Sequence, residues 1–170
     1  MNTKGVPIME IREAIPADAG RIHDIAVTSW LDTYAEIYSE RSKAHFVQEA
    51  YPQEEVVRAI RMAEEARGEY FYVGIIDEEI VGFIHAVDVE GTWEIVRLYV
   101  LPKYQQNGIG RRLIRELERQ GAVPLEVYVE ARNYKARQFL TSFGFEELSE
   151  MTEEVFGQVE SVIRLRHVVS

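Results

Sequence analysis

The sequence predicts an α/β (α+β) fold, a mixed and mostly antiparallel central sheet flanked by helices. Two β-rich runs, Phe71 to Ile76 and Ile80 to Val87, are separated only by Asp77-Glu78-Glu79, which reads as a hairpin and supplies antiparallel pairing. Two strand-to-helix units follow, and such crossovers place helices against the faces of a sheet. No repeat, linker or shift of composition divides the 170 residues, so one domain is expected over 1–170, with its core at about 9–168.

The elements follow in order. Ile8 to Ile15 alternates as a strand, and Pro16-Ala17-Asp18 signals a helix start. Ile22, Ile25, Ala26, Ser29 and Trp30 then fall at helical spacing, whereas the residues to about Ser42 mix aromatic and acidic types without a period and read as a loop. Pro52 opens a further helix, with Glu54 and Glu55 at its positive end and Val56, Ile60 and Ala63 on one face until Gly68. After the hairpin a strand runs from Trp93 to Val100 and stops at Pro102. Ile109, Leu113 and Leu117 mark a helix that Gly121 closes. Leu125, Val127 and Val129 alternate as the next strand. Asn133 caps a helix whose Ala136, Phe139, Leu140 and Phe143 share a face up to Gly144. The tail from Glu146 reads as acidic and irregular, and Val162 to Val168 as a last strand.

Composition narrows the chemistry. With 29 acidic and 19 basic residues the net charge is −10, the wrong sign for a general binder of phosphate backbones, so no nucleic-acid partner is expected. The absence of cysteine removes disulfides, thiolate zinc sites and cysteine nucleophiles. His23, His45, His85 and His167 show no metal-ligand spacing, and no metal is expected. The stretch Met1 to Glu10 is too short and interrupted for a signal peptide, and no window approaches the ~20 apolar residues of a membrane span, so a cytoplasmic chain is expected.

The most informative stretch runs from Arg97 to Arg115, where no acidic residue interrupts Arg97, Lys103, Arg111, Arg112 and Arg115. A glycine-bearing loop between strand and helix turns backbone N–H groups toward the helix's positive end, a site suited to phosphate oxygens. The loop lacks the lysine and hydroxyl residue of a P-loop and the three-glycine spacing of a dinucleotide fingerprint.

Taken with its strand, this stretch resembles the acetyl-coenzyme A motif of the GCN5-related N-acetyltransferase (GNAT) family, Arg/Gln-x-x-Gly-x-Gly/Ala, which here is Gln105-Gln106-Asn107-Gly108-Ile109-Gly110. Leu98-Tyr99-Val100-Leu101-Pro102 before it, and Asn133-x-x-Ala136 and Gly144-Phe145 after it, resemble the family's at the usual spacing. The resemblance implies an N-acetyltransferase with acetyl-CoA as cosubstrate, a bulged strand at Trp93 to Val100, and a gap between it and Leu125 to Val129 that the pantetheine arm enters. Leu98, Tyr99 and Val100 would line that gap, with unpaired peptide groups of Leu98 and Val100 holding the arm. The backbone N–H groups of Gln106, Asn107, Gly108, Ile109, Gly110 and Arg111 would hold the pyrophosphate, Gln105 would bind cofactor as the first residue of the motif, and Asn133 would contact the arm.

For catalysis the resemblance implies Glu94 as a base, and the N–H of Val100 suits the oxyanion donor; Glu130, near the C-terminal end of the next strand, is a second candidate for the base. The tyrosine that many members carry later in the Asn-x-x-Ala motif is replaced by Leu140, which favours, as an alternative, a non-catalytic or regulatory acyl-CoA-binding module. The acceptor is expected to be a primary amine, a polyamine, a small amine or a peptide N-terminus. A cationic one suits the 14 acidic and 5 basic residues between Asp32 and Glu90. Trp30, Tyr34 and Tyr38 either line its groove or pack as core. A monomer or homodimer is expected.

Overall fold

In a computed structural model covering residues 8–49, 51–155 and 157–168, seven strands form one sheet in the order β1-β2-β3-β4-β5-β7-β6. The strands are β1 (Met9–Glu13), β2 (Glu69–Ile76), β3 (Glu79–Val89), β4 (Thr92–Val100), β5 (Leu125–Glu130), β6 (Glu146–Val155) and β7 (Gln158–His167). The helices are α1 (Ala19–Tyr34), α2 (Glu40–Glu49), α3 (Gln53–Glu64), α4 (Ile109–Arg119) and α5 (Tyr134–Phe143). All strand pairs are antiparallel except β4 with β5. The leader reading rests largely on residues 1–7, which lie outside the described residues. Among the described residues no helix is long and apolar enough to cross a membrane.

Strand alternation divides the core in two. On one face Leu113, Ile114 and Leu117 of α4 and Leu140 and Phe143 of α5 pack on Ile84, Ile95, Leu125, Ile163 and Leu165. On the other, Ile22 and Ile25 of α1 and Val56 and Ile60 of α3 cover Phe71, Val73 and Phe83. The start of α1 is fixed by Asp18, whose buried carboxylate accepts the Ile15 N–H at 2.9 Å and the Arg12 guanidinium at 2.9 and 3.1 Å.

Two stretches differ from their reading in the sequence. The residues to about Ser42 taken as a loop hold the end of α1, which runs to Tyr34, and the start of α2, which continues to Glu49 and is capped by Ser39: its Oγ accepts the Ser42 N–H at 3.1 Å. Ser42 and Phe46 are the residues of α2 seen to be buried, too few to print a period. The acidic tail taken as irregular is β6, in a long hairpin with β7 that begins four residues before Val162. Residues 146–154 are all exposed, so neither face of this edge strand requires apolar residues, and the alternation that reveals a half-buried strand is lost.

Candidate active site: a fork between two parallel strands

Strands β4 and β5 are paired only at Trp93 with Leu125 and Glu94 with Glu126, and beyond these positions they separate. The cause lies in β4. Ala86 faces Ile95 while His85 faces Arg97, so Val96 is an extra residue, and a bulge of this kind bends and twists its strand. The Leu101 N–H bonds to the Val81 carbonyl at 2.8 Å, so Val100 opposite Gly82, and Leu98 opposite Ile84, turn their peptide groups away from β3 and into the fork.

Of these groups the Val100 carbonyl is already engaged, accepting from Gln105 Nε2 at 3.0 Å and Ser29 Oγ at 3.3 Å. The N–H groups of Leu98 and Val100 and the Leu98 carbonyl remain to grip an extended amide-bearing chain. Tyr99 has the opposite parity. Its peptide groups face β3, and its ring lies on the α1 side, 5.7 Å from the Phe83 ring. The structure therefore does not bring Tyr99 into the fork.

Outside the fork, the chain passes Pro102–Tyr104 and enters α4 at Gly108, whose φ of +82° is a left-handed conformation that favours glycine. A glycine cap offers no side-chain acceptor. Among the described residues the N–H groups of Gln106, Gly108, Ile109, Gly110 and Arg111 have no protein acceptor. The Arg111 guanidinium leans over the Phe143 ring at 5.1 Å, and no carboxylate of the described residues pairs with it. Open N–H groups, a helix N-terminus and cations fit a pyrophosphate. Gln105 and Asn107 turn their backbone N–H groups back to Pro102 and Tyr104, so Gln105 acts here through its side chain. Lys135 Nζ reaches Gln105 Oε1 at 2.5 Å and ties α5 to this loop.

The other wall ends in Glu130, Asn133 and α5. Asn133 is buried, its Oδ1 accepting the Ala136 N–H at 3.1 Å and its Nδ2 donating to the Tyr34 hydroxyl at 3.1 Å. It is thus a helix cap with one amide hydrogen to spare. Tyr34 donates to Glu130 Oε2 at 2.8 Å and Tyr38 to Oε1 at 3.2 Å. Trp30, Tyr34 and Tyr38 are buried and lie 5.0 to 5.5 Å apart by ring centroid, so of the two readings these rings pack as core. Sequence reasoning missed the hydroxyl contacts to Glu130, because partners some 96 positions apart leave no local signal. Leu140 is buried in the core cluster beneath α5.

Glu94 lies at the closed end of the fork, level with Glu126. Burial, and then the charge of Glu126, raise its carboxyl above the ordinary glutamate range. Glu126 itself is neutralised by Arg166 at 2.9 Å and Arg164 at 3.3 Å. Glu94 pairs with Val87 and Val100 with Gly82, five residues apart on β3, which sets the two about 16 Å apart along the sheet. The structure does not bring Glu94 and Val100 together; Leu98, opposite Ile84, is nearer by two residues. Among the described residues no cluster of three or more His, Asp or Glu could hold a metal.

Comparison with known proteins agrees with this geometry. The chain is 29% identical over 141 residues to a spermidine N(1)-acetyltransferase of Thermoplasma acidophilum, across 81% of this chain and 88% of the relative. It matches the crystal structure of the PaiA N-acetyltransferase of T. acidophilum in complex with coenzyme A with a TM-score of 0.82 and 26% identity, over 95% of this chain and 99% of that one. Ard1 of Thermoplasma volcanium shares the fold, with a TM-score of 0.72 and 20% identity over 95% and 98% of the two chains. The model of the acetyltransferase (GNAT) family matches residues 18–145, the span holding the fork, the open loop and the cap at Asn133, and the chain belongs to that family of acetyl-CoA-dependent acetyltransferases.

Proposed function

We propose that the chain transfers an acetyl group from acetyl-CoA to a primary amine held in a ternary complex. The observation that carries this reading is the fork, whose free peptide groups at Leu98 and Val100 lead outward to the open N–H groups at the start of α4. Bound there, acetyl-CoA supplies an activated acetyl thioester to which an amine can add.

The residues divide the work by depth. The N–H of Val100 and the peptide group of Leu98 orient the pantetheine arm, and Gln106, Gly108, Ile109, Gly110 and Arg111 hold the pyrophosphate. The deepest group of the outer fork is the Leu98 N–H, so the charge that develops on the carbonyl oxygen falls to Leu98, one rung inward of Val100. A lysine-like amine must also lose a proton, at a cost of roughly 4 kcal/mol at pH 7. Glu94, on the same side of Leu98 as the closed end, receives that proton through water. Its raised carboxyl pKa makes it a better match to the amine than an ordinary glutamate.

The acceptor is a primary amine, and the name of the T. acidophilum relative supports a polyamine among the polyamine, small-amine and peptide candidates. The test is an acceptor panel with acetyl-CoA and detection of the free thiol. Saturable thiol release that depends on the amine supports transfer. Binding of acetyl-CoA with no release for any amine would leave the non-catalytic module in its place.

A further inference from the structure

Glu130 shares with Glu94 alone, among the described carboxylates that are at least partly buried, the lack of a cationic partner. Asp18, Glu69, Glu116, Glu118, Glu126 and Glu160 each have an Arg or His within 4.0 Å. Among the described residues, Glu94 and Glu130 have none. The nearest cation in sequence, Arg132, is committed to Glu160 at 2.5 Å and to the Ile37 carbonyl at 2.9 Å. Glu130 is held instead by two neutral phenols. Burial, and then the charge of Glu130 itself, raise the Tyr34 and Tyr38 hydroxyls far above their ordinary range, so both remain donors. The result is a carboxylate held in place by two hydroxyls and paired with no cation of the described residues, and each oxygen retains a lone pair beyond its phenol bond.

Its place in the fold gives that charge a use. Glu130 is four residues beyond Glu126 on the same face of β5, about 13 Å from the level of Glu94 and therefore level with Tyr99, between Leu98 and Val100. The charge also reaches across the fork, where it adds to the burial that pushes the Tyr99 hydroxyl up to about 12 against the opposing pull of Arg97. A carboxylate that cannot be relieved stabilises an ammonium and opposes its deprotonation. It therefore suits a charge that persists through the reaction rather than the nitrogen that reacts.

We propose that Glu130, fixed by Tyr34 and Tyr38, seats a second, non-reacting ammonium of the acceptor, which makes the acceptor a linear diamine or polyamine. This rests on the acetyl-transfer reading for its purpose, but the seat can be tested by binding alone. Calorimetry on the protein saturated with coenzyme A compares spermidine with n-butylamine, which carries one charge. Spermidine is expected to bind about tenfold to a hundredfold more tightly, the range of a hydrogen bond to a charged group. Glu130→Gln should abolish that preference while leaving acetyl-CoA affinity unchanged, and Glu130→Asp, which keeps the charge but withdraws it by one methylene, should reduce it. An equal preference in the parent and Glu130→Gln overturns the proposal, as does a parent that does not distinguish the two amines. Should Glu130→Gln not fold, an unreduced preference in Glu130→Asp overturns it. A preserved preference without thiol release from any amine would count against acetyl transfer and leave the seat standing.

Discussion

Gly74 offers a direct handle on the cofactor loop although it lies inside the sheet. A Cβ at position 74 would meet Ile109 Cγ1 at 2.6 Å and Cδ1 at 3.0 Å, distances that force a movement. Ile109 is the first residue of α4 and is fully buried, so α4 must lift from β2 or the side chain must leave its well. Overpacking of this kind costs about 1–3 kcal/mol. Gly74→Ala is expected to lose that amount in urea denaturation and to weaken acetyl-CoA binding in calorimetry, because the displaced residue opens the run of N–H groups Ile109, Gly110 and Arg111. Ile109→Ala alone leaves a cavity and should cost about 2–5 kcal/mol. In the double variant the clash disappears, so its loss should be smaller than the sum of the single losses by about 1–3 kcal/mol. Additive losses, or a Gly74→Ala protein with parental stability and cofactor affinity, would refute the claim that the close approach of β2 and α4 sets the loop.

Three further outcomes are expected. Gly108→Val puts a branched residue at a φ of +82°, and calorimetry should show weaker acetyl-CoA binding together with a stability loss of about 1–2 kcal/mol. Leu140→Tyr overpacks the core beneath α5, so it should lower stability by about 1–3 kcal/mol without raising single-turnover acetyl transfer; faster transfer in a stable variant would place residue 140 at the reacting atoms. Glu94 has a raised folded-state pKa, so its ionised form opposes folding, and this penalty appears as pH rises through the unfolded and then the folded pKa. Glu94→Gln should therefore raise the melting temperature by about 1–3 °C at pH 7 and leave it unchanged well below pH 4, while slowing transfer most where the Glu94 carboxylate is ionised and the amine still protonated, and least at the acidic end of the pH–rate profile.

What the sequence determined by itself is the part written in local contacts. The helix from Ile109 and the helix capped by Asn133 are fixed by short-range apolar periods, a glycine and an asparagine, and the stretch from Arg97 to Arg115 announces itself by the pair Gly108 and Gly110 and by five cations with no carboxylate among them. The strands whose one face is buried show their alternation for the same reason. Helix α2 and strand β6 did not show, because a mostly exposed element needs no apolar stripe and so prints none. The tertiary structure alone decided the rest. The bulge at Val96 is a mismatch in register between two strands, visible only when Arg97 is found opposite His85 and Ile95 opposite Ala86. That mismatch selects which peptide groups enter the fork, admitting Leu98 and Val100 and excluding Tyr99. The setting of Glu130 is likewise a property of packing: of its phenol partners Tyr34 ends α1 and Tyr38 lies in the turn beyond it, and the arginine nearest in sequence is taken by Glu160 on β7. Such pairings join residues far apart in the chain, and the chain must fold before they exist.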